Sequence, residues 1–169
     1  MSGIRIASLL RIAVVGISAA VLFLIAFDVS YDGVGMSITT FEMWSGRFFD
    51  YLETYAEVSM TTEMEMWKIA MLIITIVAIV FGALGLLSNG FCLLFGGSGI
   101  VRKFAAWTST TALSETFTLA LVPAVIFVVM SRTIEGTEIA VVPLVMDGVL
   151  IIVGFIFAGV AKRFAKRSD

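Results

Sequence analysis

Long runs of apolar residues that no charge interrupts are the strongest constraint on this chain. Ile69–Leu87 supplies 19 consecutive uncharged residues, about the number that a helix needs to cross the ~30 Å hydrocarbon core of a bilayer. Ile12–Phe27 is a second uncharged run, and Phe104–Met130 and Ile139–Val160 are two more apolar runs with a single acid each. Only 14% of the residues are charged, against about 25% in soluble domains. We therefore expect an all-α integral membrane protein, a single domain with four transmembrane helices over about residues 4–27, 66–88, 104–130 and 139–160.

The first apolar run fits two interpretations, a span and a cleaved signal peptide. Ile12–Phe27 has 16 uncharged residues, and Ile4–Leu10 lengthens it with only Arg5 and Arg11 interrupting. A helix over both stretches is about 36 Å long, enough to cross the bilayer if both arginines reach one membrane face. The polar residues that follow are not preceded by a small-x-small cleavage site, so we expect a retained span.

Local signals predict where the second span begins and ends. Thr62 and Glu65 have the spacing of a capping box, and residues 88–90 (Ser-Asn-Gly) are typical of a helix stop. Whether Phe91–Phe95 continues this helix stays open. Gly96–Gly99 predicts a flexible turn before the second of two helical hairpins. Small residues at spacings typical of close helix packing occur in three spans: Gly16 with Ala20, Gly82 with Gly85, and Gly154 with Ala158.

Charges outside the spans are divided unequally between the two membrane faces. One face carries eight cations opposed only by Asp169: Arg5, Arg11, Arg102, Lys103, Lys162, Arg163, Lys166 and Arg167. The other carries three cations and ten carboxylates: Arg47, Lys68, Arg132, Asp28, Asp32, Glu42, Asp50, Glu53, Glu57, Glu63, Glu65, Glu135 and Glu138. Because cytoplasmic loops are enriched in Lys and Arg, we expect both termini, the turn 89–103 and the tail 161–169 in the cytoplasm. Segment 28–65 then lies on the outer face of the cell membrane.

The outer segment is predicted to begin as a loop and continue as a helix. Residues 28–35 have a loop composition without periodicity. Thr39 and Glu42 repeat the capping-box spacing. Aromatic residues then recur at steps of three and four: Phe41, Trp44, Phe48, Tyr51 and Tyr55. The pattern predicts an amphipathic helix on the outer leaflet or over the bundle, or a docking face for a partner subunit.

Two carboxylates, Glu115 and Asp147, fall deep inside predicted spans. Each lies two or three residues from the centre of its span, where an acid costs about 2.5–3.5 kcal/mol on insertion scales. The span cores hold no Lys or Arg that could neutralise them, so we expect both acids to face protein or water, at a depth that lets them share one cavity. Thr111 and Thr118 share a helix face with Glu115, and Ser114 lies beside it. These hydroxyls either orient water or an ion, or bond only to their own backbone.

Proline adds a second candidate feature to the third span. Pro123 has no N–H, so the carbonyl of Leu119 loses its usual helical donor. A free carbonyl near a carboxylate is a candidate cation ligand, although proline is also ordinary in membrane helices.

Missing residue types exclude several classes of chemistry. The chain has no His, which excludes His-ligated haem, His-based zinc or copper sites and Ser-His or Cys-His catalysis. Cys92 is the only cysteine and is expected to fill space near a membrane face. We expect no cofactor, no metal site and no nucleic-acid partner, and we favour a protein that is not an enzyme.

Two functions remain. The first is a proton- or cation-translocating component of a membrane transport complex, with Glu115 and Asp147 as relay groups. The second is a structural or accessory subunit that transports nothing itself. A chain of 169 residues is small for a complete transporter, so partners besides the lipid bilayer are expected to be copies of this chain or other membrane subunits.

Overall fold

A computed structural model describes residues 3–31, 33–55, 61–133 and 136–166. The elements follow in chain order as α1 (Gly3–Phe23), β1 (Ala26–Tyr31), β2 (Val34–Thr39), α2 (Thr40–Glu42), a π-helical turn (Met43–Arg47), α3 (Phe48–Tyr55), α4 (Thr62–Phe95), α5 (Gly99–Thr133), β3 (Thr137–Ile139) and α6 (Val141–Lys166). Four of the helices, α1, α4, α5 and α6, are long and apolar enough to cross a membrane. The chain is therefore mostly helical and has the architecture of a multi-pass membrane protein.

The long helices begin and end at different residues from those predicted. Helix α1 ends at Phe23, and Ile25 follows in the connection to β1. Helix α4 is capped by Thr61, one residue earlier than the predicted cap: its side chain accepts a hydrogen bond from the Met64 backbone N–H at 3.3 Å. It continues through Phe91–Phe95 and ends at Gly96, whose φ of 81° is left-handed.

Asn89 explains why α4 passes through its predicted stop. Its side chain is buried. The two N–H groups of its side-chain amide lie within hydrogen-bond distance of three acceptors: the Gly85 carbonyl at 2.7 Å, the Ala105 carbonyl at 3.1 Å and the Ser109 hydroxyl at 2.8 Å. Two of these three acceptors belong to α5, so Asn89 joins the two helices.

The segment predicted as a loop after the first span forms a β-sheet, which is a correction to the all-α prediction. Strands β1 and β2 pair antiparallel with Ala26 opposite Thr39, and β3 pairs with the other edge of β1. Phe27 and Val29 are buried and Asp28 between them is exposed, which is the alternation of a half-buried strand. The sheet therefore ties the α1–α4 connection to the α5–α6 connection.

After the sheet the chain is helical, with one interruption. The capping box predicted at Thr39 is confirmed: its hydroxyl accepts from the Glu42 N–H at 3.2 Å, and the Glu42 carboxylate accepts from the Thr39 N–H at 3.0 Å. Gly46 has a φ of 119°, which is not helical, so two shorter helical pieces replace one continuous helix. That this segment is an amphipathic helix stays a prediction.

Small residues set the closest approaches between spans. The most extensive contacts pair α4 with α5 and α1 with α6; the division into two hairpins stays a prediction. A Cβ at Gly154 would lie 2.8 Å from a Leu113 methyl group, and one at Gly85 would lie 3.0 Å from the Ser109 hydroxyl. At Gly16 a Cβ would meet no atom within 4 Å. Two of the predicted small-residue positions therefore allow helix contact, whereas Gly16 does not need to be glycine.

Candidate functional site

Asp147 is the most deeply buried acid in the described chain. It lies on α6, six residues after Val141, and it is 3% exposed. Neither carboxylate oxygen has a hydrogen-bond partner within the part of the chain that the structure describes. On the same stripe of α6, Leu144 packs against one apolar cluster and Ile151 belongs to another. Asp147 therefore lies between two apolar clusters, and no described residue donates a hydrogen bond that would stabilise its negative charge.

Glu115 is less deeply buried than Asp147. It lies on α5, about 24 Å from Gly99 and about 17 Å from Ile126 at 1.5 Å per residue, so it is far from both ends of that span. Its side chain is half-buried. Among the described residues the structure gives it no hydrogen bond or ion pair. The described helices of the chain therefore enclose this carboxyl group only in part.

Glu115 lies on the side of α5 that turns away from α6, the helix that carries Asp147. Leu113 faces α6, since a Cβ at Gly154 would touch its side chain. Ala120, which packs with Ile151 of α6, marks the same side. Glu115 follows Leu113 by two residues, a rotation of about 160° to the other side of the helix when measured the shorter way round. That the two carboxylates share a cavity stays a prediction.

The hydroxyl residues near Glu115 form one partly uncovered surface. Thr111 and Thr118 are half-buried, like Glu115, and Ser114 is exposed. The Thr118 hydroxyl donates to the Ser114 backbone carbonyl at 3.2 Å. We call the surface of Thr111, Ser114, Glu115 and Thr118 the open face of α5. At least one of its hydroxyls thus bonds to its own helix, which was one of the two alternatives for these residues.

Trp44 is buried, and its indole bonds to the backbone carbonyl that Pro123 leaves without its usual helical donor. Its indole is buried and donates a hydrogen bond to the Leu119 carbonyl at 3.3 Å. Pro123 lies inside α5 four residues after Leu119, so the indole N–H takes the place of the missing helical donor. This carbonyl is therefore not free to bind a cation. Trp44 is likewise not free to dock a partner, which corrects its assignment to an interface.

The other aromatic candidates are only partly described. The Phe41 ring is half-buried and lies 5.0 Å from the Phe23 ring, centroid to centroid. Phe48, Tyr51 and Tyr55 belong to the backbone of α3, but their side chains lie outside the described part of the structure. Their predicted role at an interface stays a prediction.

A polar cluster stands where the sheet passes into the helical segment. The Thr39 backbone N–H, with the Thr39 hydroxyl and the Arg47 guanidinium, lowers the pKa of Glu42 below its usual value by stabilising the carboxylate. Burial opposes this shift only in part. Both Glu42 and Arg47 are partly exposed, so the cluster stabilises the start of the helical segment and leaves no enclosed site for a substrate.

The described residues contain no group of three or more acidic or cysteine side chains arranged to hold a metal ion. Comparison with protein-family models, curated proteins and solved structures found no match to this chain. The class of protein therefore follows from its four apolar helices: it is a multi-pass membrane protein, with one buried acid and one acid on an open helix face.

Proposed function

We propose that this chain is a non-transporting subunit of a larger membrane assembly, and that a helix of a neighbouring subunit covers the open face of α5. The observation that supports the proposal is Glu115, an acid far from both ends of its span and only half-buried by its own chain. Lipid acyl chains have no hydrogen-bond donors, whereas a neighbouring helix can supply one. A second copy of the chain and a different subunit would both satisfy this requirement.

Site-specific photo-cross-linking in native membranes tests the proposal. A photoreactive side chain replaces Ser114 on the open face, and a matched variant carries it at Ile152, which is 61% exposed on α6. We expect a protein adduct of one defined mass from position 114 and only lipid adducts from position 152. Glu115→Leu should abolish the adduct, whereas Glu115→Gln, which still hydrogen-bonds, should retain most of it.

The mass of the adduct separates the two kinds of neighbour. Twice the mass of the chain identifies a second copy, and any other defined mass identifies a different subunit. The proposal is wrong if position 114 yields only lipid adducts, or if positions 114 and 152 give the same products.

A second candidate function, translocation of a proton or cation, is favoured by Asp147. A carboxyl group with both oxygens buried and unpartnered is stable only when it holds a proton or a cation. We propose Asp147 alone as the relay group in this alternative, because Glu115 lies on the side of α5 that turns away from α6. Flux into proteoliposomes should then fall at least tenfold in Asp147→Asn and stay unchanged in Glu115→Gln. Equal flux in the wild type and Asp147→Asn, at equal protein content, would exclude this candidate.

We further propose a cell-membrane location with both termini in the cytoplasm. Support comes from the division of charge, since eight cations lie at the predicted cytoplasmic face and ten carboxylates at the other. Protease digestion of sealed right-side-out vesicles should leave a tag at either terminus intact. Loss of the tags before the vesicles are opened would contradict this orientation.

A further inference from the structure

A cavity of about 370 Å³ lies between α1, α5 and α6. Its walls come from the part of α1 near Arg11, from the beginning of α5 and from the last turns of α6, at the opposite end of these helices from the sheet. Helices α5 and α6 contact each other less than either contacts α1, so the gap between them is backed by α1. The volume is at the lower end of the roughly 300–1,000 Å³ typical of small-ligand sites.

Arg11 is the unusual residue of this cavity. The sequence predicted that its guanidinium would extend to the membrane face, as the exposed Arg5 does. Arg11 is instead only 8% exposed, and among the described residues the structure gives it no hydrogen bond or ion pair. A buried guanidinium has five N–H donors and a fixed positive charge, and leaving them unpaired is strongly unfavourable.

Two further cationic side chains line the cavity. Lys103 of α5 and Lys162 of α6 line it together with Arg11, and none of the described residues that line it is a carboxylate. Thr110 and Trp107 also line it. Three positive charges around a small space form a site for a compact anion with several acceptor oxygens, which is the chemistry of a phosphate group.

We propose that this cavity binds the phosphate headgroup of an anionic phospholipid. Arg11 binds the phosphate oxygens from the inside, and Lys103 and Lys162 neutralise the remaining charge near the opening. The lipid, rather than a free phosphate ion, is the expected ligand because the cavity lies between two membrane-spanning helices. Trp107, which is 55% exposed beside it, belongs to a residue type that is enriched at the headgroup level. Basic pockets between spans are a known form of lipid recognition. This site does not depend on the function proposed above.

Lipid retention by the purified, full-length chain tests the site. The protein is stripped of lipid in detergent and mixed with phosphatidylglycerol or phosphatidylcholine, and bound lipids are counted by native mass spectrometry. We expect one retained phosphatidylglycerol per chain, no retained phosphatidylcholine, and a higher melting temperature with the anionic lipid only. Inorganic phosphate at millimolar concentration should leave the melting temperature unchanged.

Matched variants locate the site. Arg11→Met should weaken phosphatidylglycerol binding at least tenfold, and Arg11→Lys should weaken it less. The control Arg5→Met removes a cation from the same helix outside the cavity and should change binding less than threefold. Lys103→Ala with Lys162→Ala should weaken binding roughly 25-fold, at about fivefold for each cation. Because these two lysines are exposed, the double variant tests the site even if Arg11→Met does not fold.

Three results would overturn the proposal. One is equal retention of the two lipids. Another is equal loss of binding in Arg5→Met and in the double lysine variant, which would show a diffuse charge effect. The third is stabilisation by inorganic phosphate without retention of phosphatidylglycerol, which would make a soluble anion the ligand.

Discussion

The hydrogen bond between the Trp44 indole and the Leu119 carbonyl makes a quantitative prediction about how the outer segment is held to the bundle. Trp44→Phe removes the N–H donor, and Pro123 prevents α5 from supplying another. A buried carbonyl left without a donor costs about 1–3 kcal/mol. The smaller ring also leaves a void, which adds a packing cost to this variant.

A double-mutant cycle separates the two costs. Pro123→Ala provides a backbone N–H at position 123, which can donate to the Leu119 carbonyl as in an ordinary helix. Trp44→Phe should then destabilise the protein by about 1–3 kcal/mol less in the Pro123→Ala background than in the wild type, because the void is common to both. The free energy of unfolding is measured by steric trapping in lipid nanodiscs. Equal costs in the two backgrounds would refute the account of the Leu119 carbonyl.

Three further predictions concern packing, the buried acid and pH. Gly154→Ala should lower the free energy of unfolding by about 1–3 kcal/mol through overpacking. Gly159→Ala, where a Cβ would meet no atom within 4 Å, should not lower it. Equal effects of the two variants in unfolding experiments would contradict the contact between Gly154 of α6 and Leu113 of α5. Asp147→Leu should raise the melting temperature if the acid only occupies space in the apolar interior, and Asp147→Asn should not, because an amide there would also lack partners. Since the pKa of Glu42 is lower in the folded protein, its contribution to stability is present above the unfolded pKa and is lost as the pH falls through the folded pKa. Glu42→Gln should therefore reduce the loss of stability on acidification below about pH 5. An unchanged dependence of stability on acid pH would contradict the role of the carboxylate at the Thr39 cap.

The helices that can cross a membrane were predictable because their signal is local. An apolar run of about 20 residues has few alternatives to a membrane-spanning helix, whatever surrounds it. The Thr39 cap was predictable for the same reason, since it depends on residues three positions apart. Helix ends were less predictable: Asn89 resembles a stop in isolation, but its side-chain N–H groups bond to its own helix and to α5, and only the folded protein shows that.

The sheet could have been predicted, and its signal was missed. Phe27, Val29 and Tyr31 alternate with Asp28 and Ser30, which is the period of a strand. The two residues between β1 and β2 are Asp-Gly, a common hairpin turn. The high content of polar and glycine residues favoured a loop and concealed this alternation.

Side-chain environments depend on how helices rotate against one another, which a single sequence does not specify. Depth along a helix follows from counting residues, and Glu115 lies far from both ends of its span as expected. Asp147 lies only six residues after the start of α6, because that helix begins and ends later than the predicted span. Rotation does not follow from counting, so the side of α5 on which Glu115 lies was not foreseen. Arg11 was expected to reach the membrane face because nothing in the sequence shows that α5 and α6 leave a cavity beside it.

A density map of the native assembly in lipid nanodiscs tests the central claim, that a neighbouring subunit covers the open face of α5, most directly. We expect helical density from another chain along Thr111, Ser114 and Thr118, with a polar group within hydrogen-bond distance of the Glu115 carboxyl group. Ile152 of α6 serves as the internal control and should face lipid. Lipid acyl chains along the open face of α5, with no protein density near Glu115, would contradict the claim.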